Sequence, residues 1–409
     1  MKDVRLRGGP PVHPYVFSKR VLRADRGAKD GDVVRLLTRE GRPVGYGFWH
    51  SGSRIAVRVL SHDPDVVPDE AWLRSRVREA DRLRRDTLRL PDSTNAWRVI
   101  HGEADGLSGL VVDRFADVGS VEVFSLGWQR RLDELEQALA DEAGLKQVAF
   151  RADAKSVTLE GLDLPRPPRI EPVEAVENGV RYRVDPTGGH KTGFFLDQRD
   201  NRALLAGLAR GRHVFDGMTY TGGFALACAK GGAASVRGMD LDEEAVAYAQ
   251  RNAEHNGLEV VFEHGDVFDA LRRLAAEEPE RRPGIVIVDP PKWARDRKGL
   301  GAALYRYRDL NRLALEAVAP GGLVCTCSCS GLVSESMLID VVREAALDVR
   351  RSVRILVASG AAPDHPVASI FPEGRYLKCL LLSVGAPGSG PGGGDRTRSP
   401  DEARRQGSR

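Results

Sequence analysis

Four aspartates recur at near-constant intervals in the C-terminal half of the chain, and each follows a short apolar run or a glycine. They are Asp216, Asp240, Asp266 and Asp289, separated by 24, 26 and 23 residues. Each interval has about the length of one strand, one helix and their loops. In a parallel α/β sheet the carboxyl ends of the strands meet at one crevice, where ligands bind. The spacing therefore predicts a site for a nucleotide-like ligand and a target base, lined by these carboxylates.

A cysteine-rich strand supplies a second kind of chemistry. The segment 321–331 has the sequence GGLVCTCSCSG, so strand alternation puts Cys325, Cys327 and Cys329 on one face. Cysteine is usually a small buried residue, and burial in the core is our interpretation of Cys325. Zinc is disfavoured, and no metal is expected, because structural zinc sites usually combine paired cysteine turns and four ligands. Counting to the end of the strand favours Cys329 for chemistry, whereas the Thr-Cys-Ser string around Cys327 keeps that residue as the alternative.

A thiol at such a crevice suits methylation of a pyrimidine. Carbon 5 of cytosine is a weak nucleophile until a thiolate adds to carbon 6; the adduct then attacks a methyl sulfonium, and loss of the carbon 5 proton expels the sulfur. Cys329 is the predicted nucleophile, and Asp289 is predicted to hold the polar edge of the cytosine. Pro290 and Lys292, in the same Asp-Pro-Pro-Lys string, are predicted on the substrate side.

The segment after the first predicted strand suits a nucleotide cofactor, for which S-adenosylmethionine is the expectation. Asp216 begins the string, and Gly217 and Gly222 permit a tight turn before a helix. The string is not GxGxxG, which disfavours a dinucleotide oxidoreductase. Asp240 ends the second strand, where a carboxylate accepts hydrogen bonds from ribose hydroxyls. Asp266 falls where a third strand would reach the adenine, and a helix N-cap is an equally good and compatible role for it.

Strings spread over nearly the whole chain carry a family resemblance. They are residues 13–18, 101–107, 189–202, 220–224, 289–292, 328–332, 363–366 and 376–378. The chain resembles the ribosomal RNA large subunit methyltransferase I family, cytosine-5 enzymes that act on 23S rRNA. The resemblance implies an α/β protein whose C-terminal Rossmann-like class I methyltransferase sheet follows a small central α/β domain and an N-terminal PUA-like β-barrel. The corresponding ranges are 1–72 for the barrel, 73–183 for the central domain and 184–385 for the methyltransferase domain.

The resemblance also implies further site residues. In such enzymes the segment before the first strand covers the methionine end of the cofactor, which makes Phe195 and Gln198 candidates. Tyr220 is expected in the cofactor turn and Lys191 on the substrate side. One departure from the family pattern is Cys327, an extra thiol where relatives can carry an aromatic or small residue.

Composition agrees with a multidomain protein of the cytoplasm. A chain of 409 residues suggests two or three domains. Its apolar runs fall far short of the ~18 residues that a membrane-spanning helix needs. Neither a secretory leader nor a disulfide framework is expected, since the first ten residues are rich in Arg and Gly and three of the five cysteines lie within five residues. Beyond residue 385 the Gly- and Pro-rich stretch 386–409 is expected to be disordered. The sequence leaves the oligomeric state open, with a homodimer as one candidate.

The N-terminal segment has a net positive charge, whereas the rest of the chain is net negative. Residues 1–58 contain 13 Lys and Arg against 5 Asp and Glu, in a chain of net charge +3. This asymmetry favours an anionic partner such as 23S rRNA, although a solvated basic surface without a partner is the alternative. Three predicted strands (32–37, 44–49 and 54–60) indicate a small β-barrel. Their aromatics suit either base stacking or the barrel core, and their arginines suit phosphate contacts. These residues are Tyr46, Phe48, Trp49, Arg35, Arg39, Arg42, Arg54 and Arg58.

Two regions between these domains contain few residues that suggest catalysis or ligand binding. The stretch 72–90 has a helical pattern and is predicted to join the barrel to the central domain, and a second helix is predicted over 132–143. His101, Glu103 and Asp105 resemble metal ligands, but a structural loop is the interpretation we favour. Two other functions stay open: methylation of an exocyclic base nitrogen through the Asp-Pro-Pro string, and a non-catalytic RNA-binding scaffold that keeps the cofactor fold.

Overall fold

The computed structural model describes residues 1–187 and 194–390, and the chain forms two compact units. Unit 1 contains Met1–Asp200 and Ala361–Arg375, and unit 2 contains Asn201–Gly360 and Tyr376–Arg409. The boundaries at residues 72, 183 and 385 stay predictions. Lys191 and most of the tail 386–409 lie outside the described residues.

Unit 1 begins with a six-stranded sheet in the order β2-β6-β5-β4-β1-β3. Its strands are β1 (Lys2–Leu6), β2 (Tyr15–Phe17), β3 (Val21–Ala24), β4 (Val33–Leu37), β5 (Pro43–Trp49) and β6 (Ile55–Ser61). The last three correspond to the predicted strands. Tyr46, Phe48 and Trp49 are all buried, so the core role, not the stacking role, applies to these aromatics.

A four-stranded sheet in the order β10-β9-β8-β7 and a two-stranded hairpin, β11-β12, follow within unit 1. Their strands are β7 (Ala96–His101), β8 (Leu110–Phe115), β9 (Val118–Val123), β10 (Gln147–Arg151), β11 (Val173–Glu177) and β12 (Val180–Val184). The helices of this part are α1 (Glu70–Arg82), extended by a π-helical turn over Leu83–Thr87, α2 (Leu126–Gln129), α3 (Leu132–Ala143) and α4 (Ala154–Glu160). Short 3₁₀ turns cover Ser18–Arg20, Leu90–Asp92, Gly102–Asp105, Leu196–Gln198 and Pro372–Gly374.

Buried ion pairs hold distant parts of unit 1 together. Asp364 accepts hydrogen bonds from both terminal nitrogens of Arg199, at 3.0 and 2.7 Å, and from the backbone N–H of Arg98 at 2.9 Å. The carbonyl of Asp364 accepts from Arg84, which also pairs with both oxygens of Asp105. The segment 361–375 is thereby fixed to the sheet and helices of unit 1. Asp105 thus belongs to a buried ion pair of unit 1.

Unit 2 is built on a seven-stranded sheet in the order β15-β14-β13-β16-β17-β19-β18. Its strands are β13 (His213–Gly217), β14 (Ser235–Asp240), β15 (Val261–His264), β16 (Ile285–Val288), β17 (Leu323–Ser328), β18 (Arg351–Ser359) and β19 (Lys378–Pro387). Its helices are α5 (Arg199–Leu208, whose first two residues fall in unit 1), α6 (Gly223–Lys230), α7 (Glu243–Asn256), α8 (Val267–Ala276), α9 (Leu300–Ala317) and α10 (Glu335–Asp348). The first five strands are parallel, whereas β19 runs antiparallel to both of its neighbours.

Local sequence explains why these elements begin and end where they do. Asp242 caps the start of α7 by accepting from Ala245 N–H, and Gly257, with φ +61°, ends it in the left-handed conformation. The strand β16 is apolar on both faces because helices cover a parallel sheet on both sides. These features confirm the predicted α/β fold class. Within the described residues, no helix is both long and apolar enough to cross a membrane.

Candidate active site

The sheet of unit 2 brings the predicted residues to one edge. Strands β14, β13, β16 and β17 are adjacent and parallel, so their carboxyl ends lie side by side. Asp216 and Asp240 lie at the ends of β13 and β14, while Asp289 and Cys329 directly follow β16 and β17. The strand order also reverses direction at β13, and such a reversal opens a crevice in open α/β sheets.

Asp216 is a buried carboxyl that organises the first loop. One of its oxygens accepts from the Thr219 hydroxyl at 2.6 Å and from Ala225 N–H, at the start of α6, at 2.9 Å. The other oxygen is buried and has no hydrogen-bond partner among the described residues. Burial raises the pKa of Asp216 to about 7, although both hydrogen bonds oppose this shift. The structure thus gives Asp216 a positioning role for the turn and the helix.

The loop after β13 has an unusual backbone. Met218 and Tyr220 adopt left-handed conformations, with φ of +64° and +50°. For a non-glycine residue this costs about 1–2 kcal/mol, and such strain is concentrated at functional sites. At Gly222, φ is +87° and an added Cβ would lie 2.9 Å from Phe262 Cζ. A Cβ at Gly217 would lie 2.7 Å from a Val267 methyl carbon, so neither glycine tolerates a side chain without rearrangement.

Asp240 and Asp266 differ in their surroundings. The Asp240 side chain accepts from Tyr220 N–H at 2.8 Å through one oxygen and from Asp242 N–H at 3.0 Å through the other. Asp266 is exposed and caps α8, accepting from the N–H groups of Phe268 and Asp269 at 2.7 and 3.3 Å. The N-cap role of Asp266 is therefore realised, and the adenine role stays a prediction.

Cys329 is the strand-end cysteine that solvent reaches. Its sulfur is half-buried and lies 4.0 Å from the carbonyl oxygen of Pro290. Asp289 is also half-buried, whereas Pro290 is buried. Cys325 and Cys327 are only 1% and 0% exposed. Of the three strand cysteines, only Cys329 combines access with contact to the Asp-Pro-Pro turn.

A buried polar network supports the turn on both sides of Cys329. Ser328 donates to the Tyr307 hydroxyl at 3.0 Å, and Ser330 accepts from Ala294 N–H at 3.3 Å. The buried Lys378 ammonium donates to the Ser330 carbonyl at 2.6 Å. Burial raises the pKa of Tyr307, so its hydroxyl stays neutral. Sequence reasoning gave none of these residues a role, although Tyr376–Lys378 belongs to the strings that carry the resemblance.

The loop after the Asp-Pro-Pro turn is cationic. Residues 292–298 have the sequence KWARDRK, with an exposed Lys292. The guanidinium of Arg306 lies 4.5 Å from the centroid of the half-buried Trp293 ring. Positive charge together with aromatic surface is typical of single-stranded nucleic-acid contacts.

The remaining predicted contacts belong to unit 1. Phe195 is half-buried and Gln198 is almost fully buried, at the start and end of a short 3₁₀ turn that leads into α5. Their assignment to the cofactor stays a prediction. Arg58 is buried and paired with Glu160 at 3.4 Å, so it is not an available phosphate ligand. Arg35, Arg39, Arg42 and Arg54 are exposed, and Arg35 is paired with Asp3 at 2.9 Å.

The residues of unit 2 fit a bound S-adenosylmethionine. Each oxygen of Asp240 accepts one hydrogen bond, and a carboxylate oxygen has two acceptor sites, so capacity remains for ribose hydroxyls. Gly217 and Gly222 permit the close backbone turn that a ligand needs.

Comparisons with known proteins agree with this geometry. A family model described as S-adenosylmethionine-dependent methyltransferase matches residues 104–369, and a PUA-like domain model matches residues 5–62. Ribosomal RNA large subunit methyltransferase I of Shewanella denitrificans is 37% identical over 397 residues, covering 94% of this chain and 98% of the relative. The protein of the same name from Aeromonas salmonicida is 36% identical over 378 residues, covering 90% and 95%.

Two solved structures share the fold. The crystal structure of SMU.776 complexed with SAH superposes with a TM-score of 0.78 at 20% identity, covering 94% of this chain and all of that one. A second structure, from Streptococcus mutans, gives a TM-score of 0.75 with the same identity and coverage.

Proposed function

The chain belongs to the ribosomal RNA large subunit methyltransferase I family of S-adenosylmethionine-dependent methyltransferases, and from this membership we propose that it methylates carbon 5 of a cytosine in 23S rRNA. The observation that carries the proposal is the half-buried Cys329 sulfur, 4.0 Å from the Pro290 carbonyl. A nucleophile at this turn is accessible to a flipped cytosine and lies next to the Asp-Pro-Pro residues that would hold the base. Cys327 lacks that access because it is fully buried.

The reaction that these residues perform begins at carbon 6 of the cytosine. The Cys329 thiolate forms a bond to carbon 6, and the electron pair of the C5–C6 double bond becomes available at carbon 5. When bound, the cofactor would supply an electrophilic methyl group on a sulfonium: carbon 5 would form the new bond as the methyl–sulfur bond breaks, and its electron pair would stay on the departing thioether sulfur. Removal of the carbon 5 proton then restores the double bond and expels the Cys329 thiolate. Asp289 holds the polar edge of the base throughout, and the support of Tyr307, Ser328 and Lys378 keeps the thiol in place.

The cofactor role falls to the first two strand ends of unit 2. Asp240 binds the ribose hydroxyls with its remaining acceptor sites, and the turn containing Tyr220 and Gly222 faces the methionine end. Asp216 acts by holding that turn in its strained conformation, since its own carboxyl is buried. The exposed Lys292 contacts the RNA beside the target base, and the buried Pro290 fixes the turn on the substrate side.

A mechanism-based trap tests the chemistry. With an rRNA fragment that contains 5-fluorocytosine, the fluorine cannot leave as a cation after methyl transfer, so the enzyme should stay attached through Cys329. The adduct should migrate as a slow band on a denaturing gel. Cys329→Ala should lose both the adduct and methylation. The matched controls Cys327→Ala and Cys325→Ala should keep at least part of each.

Other outcomes of the trap would assign other functions. Normal methylation by Cys329→Ala would exclude the covalent mechanism and favour transfer to an exocyclic nitrogen at the Asp-Pro-Pro turn. Binding of RNA and cofactor without methylation of any rRNA would favour the non-catalytic scaffold. Mass mapping of rRNA from cells with and without the gene would identify the modified nucleotide.

The basic N-terminal sheet is the proposed RNA-binding surface. If Arg39, Arg42 and Arg54 each neutralise a phosphate, replacing all three by alanine should lower the salt slope of RNA binding by roughly one unit per contact. Arg35→Ala is the matched control, since its guanidinium is already paired with Asp3 and should change the slope less. An unchanged slope in the triple variant would favour a solvated surface without a partner.

Two further expectations accompany this function. An rRNA substrate implies action in the cytoplasm, which localisation of the tagged protein would check. The homodimer stays a prediction, and analytical ultracentrifugation of the purified chain would test it.

A further inference from the structure

Three cysteines of unit 2 meet beneath the sheet edge that carries Cys329. Cys325 and Cys327 come from β17, and Cys379 comes from β19. Their sulfur atoms all lie within 4.8 Å of one another, and the Cys325 and Cys379 sulfurs are 3.4 Å apart. All three side chains are buried. Nothing in the proposed methylation chemistry uses them.

Strand pairing explains why this trio forms. Alternation along β17 puts Cys325 and Cys327 on the same face. The antiparallel register sets Cys379 directly opposite Cys327, and therefore diagonal to Cys325. Cys329 lies beyond the last residue of β17 and contacts the Pro290 carbonyl instead. The sequence alone grouped Cys329 with Cys325 and Cys327, whereas the fold replaces it with Cys379.

The sulfur triangle has the size of a metal site. An ion at its centre with metal–sulfur bonds of about 2.3 Å would hold the three sulfurs about 4 Å apart. The observed separations, from 3.4 Å to at most 4.8 Å, need only small side-chain movements to reach that arrangement. We propose that Cys325, Cys327 and Cys379 bind one soft, thiophilic metal ion, Cu(I), through three thiolates.

The donor set decides which ion this site selects. Thiolates select soft ions such as Cu(I), whereas Mg²⁺ and Ca²⁺ require oxygen ligands. A structural zinc site would need a fourth ligand, and among the described residues the cluster contains three ligand groups. Leu381 on β19 is paired with Cys325 and buried on the same face as the trio, and such apolar surroundings exclude water from the bound ion. Binding would displace the thiol protons.

Anaerobic titration of the reduced full chain with Cu(I), against a Cu(I)-selective chelator, tests the site. One equivalent should bind and produce ultraviolet thiolate-to-metal charge-transfer absorption. Cys379→Ala and Cys327→Ala should each weaken the affinity at least about tenfold. Cys329→Ala and Cys228→Ala are the matched controls, because neither sulfur belongs to the trio, and both should bind like the parent.

Several results would overturn the proposal. Equal Cu(I) affinity in the parent and in a variant with all three cysteines replaced by alanine would show that they only pack. Loss of binding in Cys329→Ala would move the ion to the strand end. Circular dichroism checks that each variant folds, and X-ray absorption of the copper-loaded parent gives a test without any variant: three sulfur neighbours are expected, and two sulfurs or any oxygen in the shell would contradict the site.

Discussion

Each compact unit contains a fully buried aspartate, and the pKa values of the two aspartates shift in opposite directions. Asp364 in unit 1 lies beside Arg199 and His365: burial alone would raise its pKa, but these two partners hold it well below the ordinary value. Asp216 in unit 2 accepts hydrogen bonds from the neutral Thr219 hydroxyl and Ala225 N–H, and burial raises its pKa to about 7. Burial therefore does not decide the charge of a carboxyl; its partners do.

The difference separates two ways of using a buried acid. Asp364 is a charged anchor that fixes a distant segment, and it contributes as long as Arg199 is present. With a pKa of about 7, Asp216 is partly protonated near neutral pH, and it works as a hydrogen-bonding group that shapes the turn. Unit 1 thus depends on the buried Arg199–Asp364 ion pair, whereas unit 2 depends on the Asp216 carboxyl group, which water solvates poorly.

The largest expected effect comes from breaking the anchor. Asp364→Asn removes the buried carboxylate partner of Arg199 and leaves it only the exposed Asp200 at 3.4 Å, which should lower the free energy of unfolding by about 3–5 kcal/mol. Urea denaturation measures the change. Asp117→Asn is the control, because its pair with Lys146 is exposed and should be worth at most about 1 kcal/mol. A loss at Asp364 as small as at Asp117 would remove the contrast.

Replacing Asp216 should mainly change how the free energy of unfolding depends on pH. Since the folded pKa of Asp216 lies above the ordinary 3.8, its contribution to stability is complete below about pH 4 and is lost as the pH rises to about 7, up to about 4 kcal/mol. Asp216→Asn mimics the protonated form and should match the parent at low pH and exceed it above neutrality. Unfolding of both proteins from pH 4 to 8 measures the difference, and a constant difference would contradict the raised pKa.

A third carboxylate, that of the half-buried Asp240, contacts the same loop through Tyr220 N–H. Asp240→Ala should weaken S-adenosylmethionine binding at least tenfold, which is about 1.4 kcal/mol, because it removes the proposed acceptor of the ribose hydroxyls. Calorimetry measures the affinity, with the exposed Asp269→Ala as control. Unchanged affinity would move the cofactor elsewhere.

The smallest effect is expected at the helix cap. Asp266→Ala removes the acceptor for two N–H groups at the start of α8 and should cost about 1 kcal/mol of stability. Asp242→Ala, at the cap of α7, should cost a similar amount. An additional loss of cofactor affinity that only Asp266→Ala produces would support its predicted position near the adenine.

The elements of unit 2 could be predicted because their signals are local. Apolar runs that end in aspartate located β13, β14 and β16, and the Asn256–Gly257 stop located the end of α7. The resemblance predicted the family, which the relatives confirm. Placement of Cys329 just beyond β17 also followed from strand length, although its role as nucleophile stays a prediction.

Contacts between segments that lie far apart in the sequence could not be predicted from it. The partner of Cys325 and Cys327 is Cys379, 54 residues from Cys325, because β19 turns back beside β17 in antiparallel orientation. Arg199 and Asp364 are 165 residues apart, and sequence reasoning assigned neither of them a role. The raised pKa of Asp216 depends mainly on its burial, which the packing of its loop produces. Such properties arise from tertiary packing, which periodicity and composition do not encode.

The return of residues 361–375 to unit 1 has a consequence for synthesis on the ribosome. Residues 1–200 emerge first, yet their anchor Asp364 is translated only after most of unit 2. At about 5–20 residues per second, the nascent N-terminal part waits about 10–35 s for its last segment. During that interval Arg199 has no counter-ion from Asp364, so vectorial folding cannot complete unit 1 early, and its maturation is timed by the end of translation.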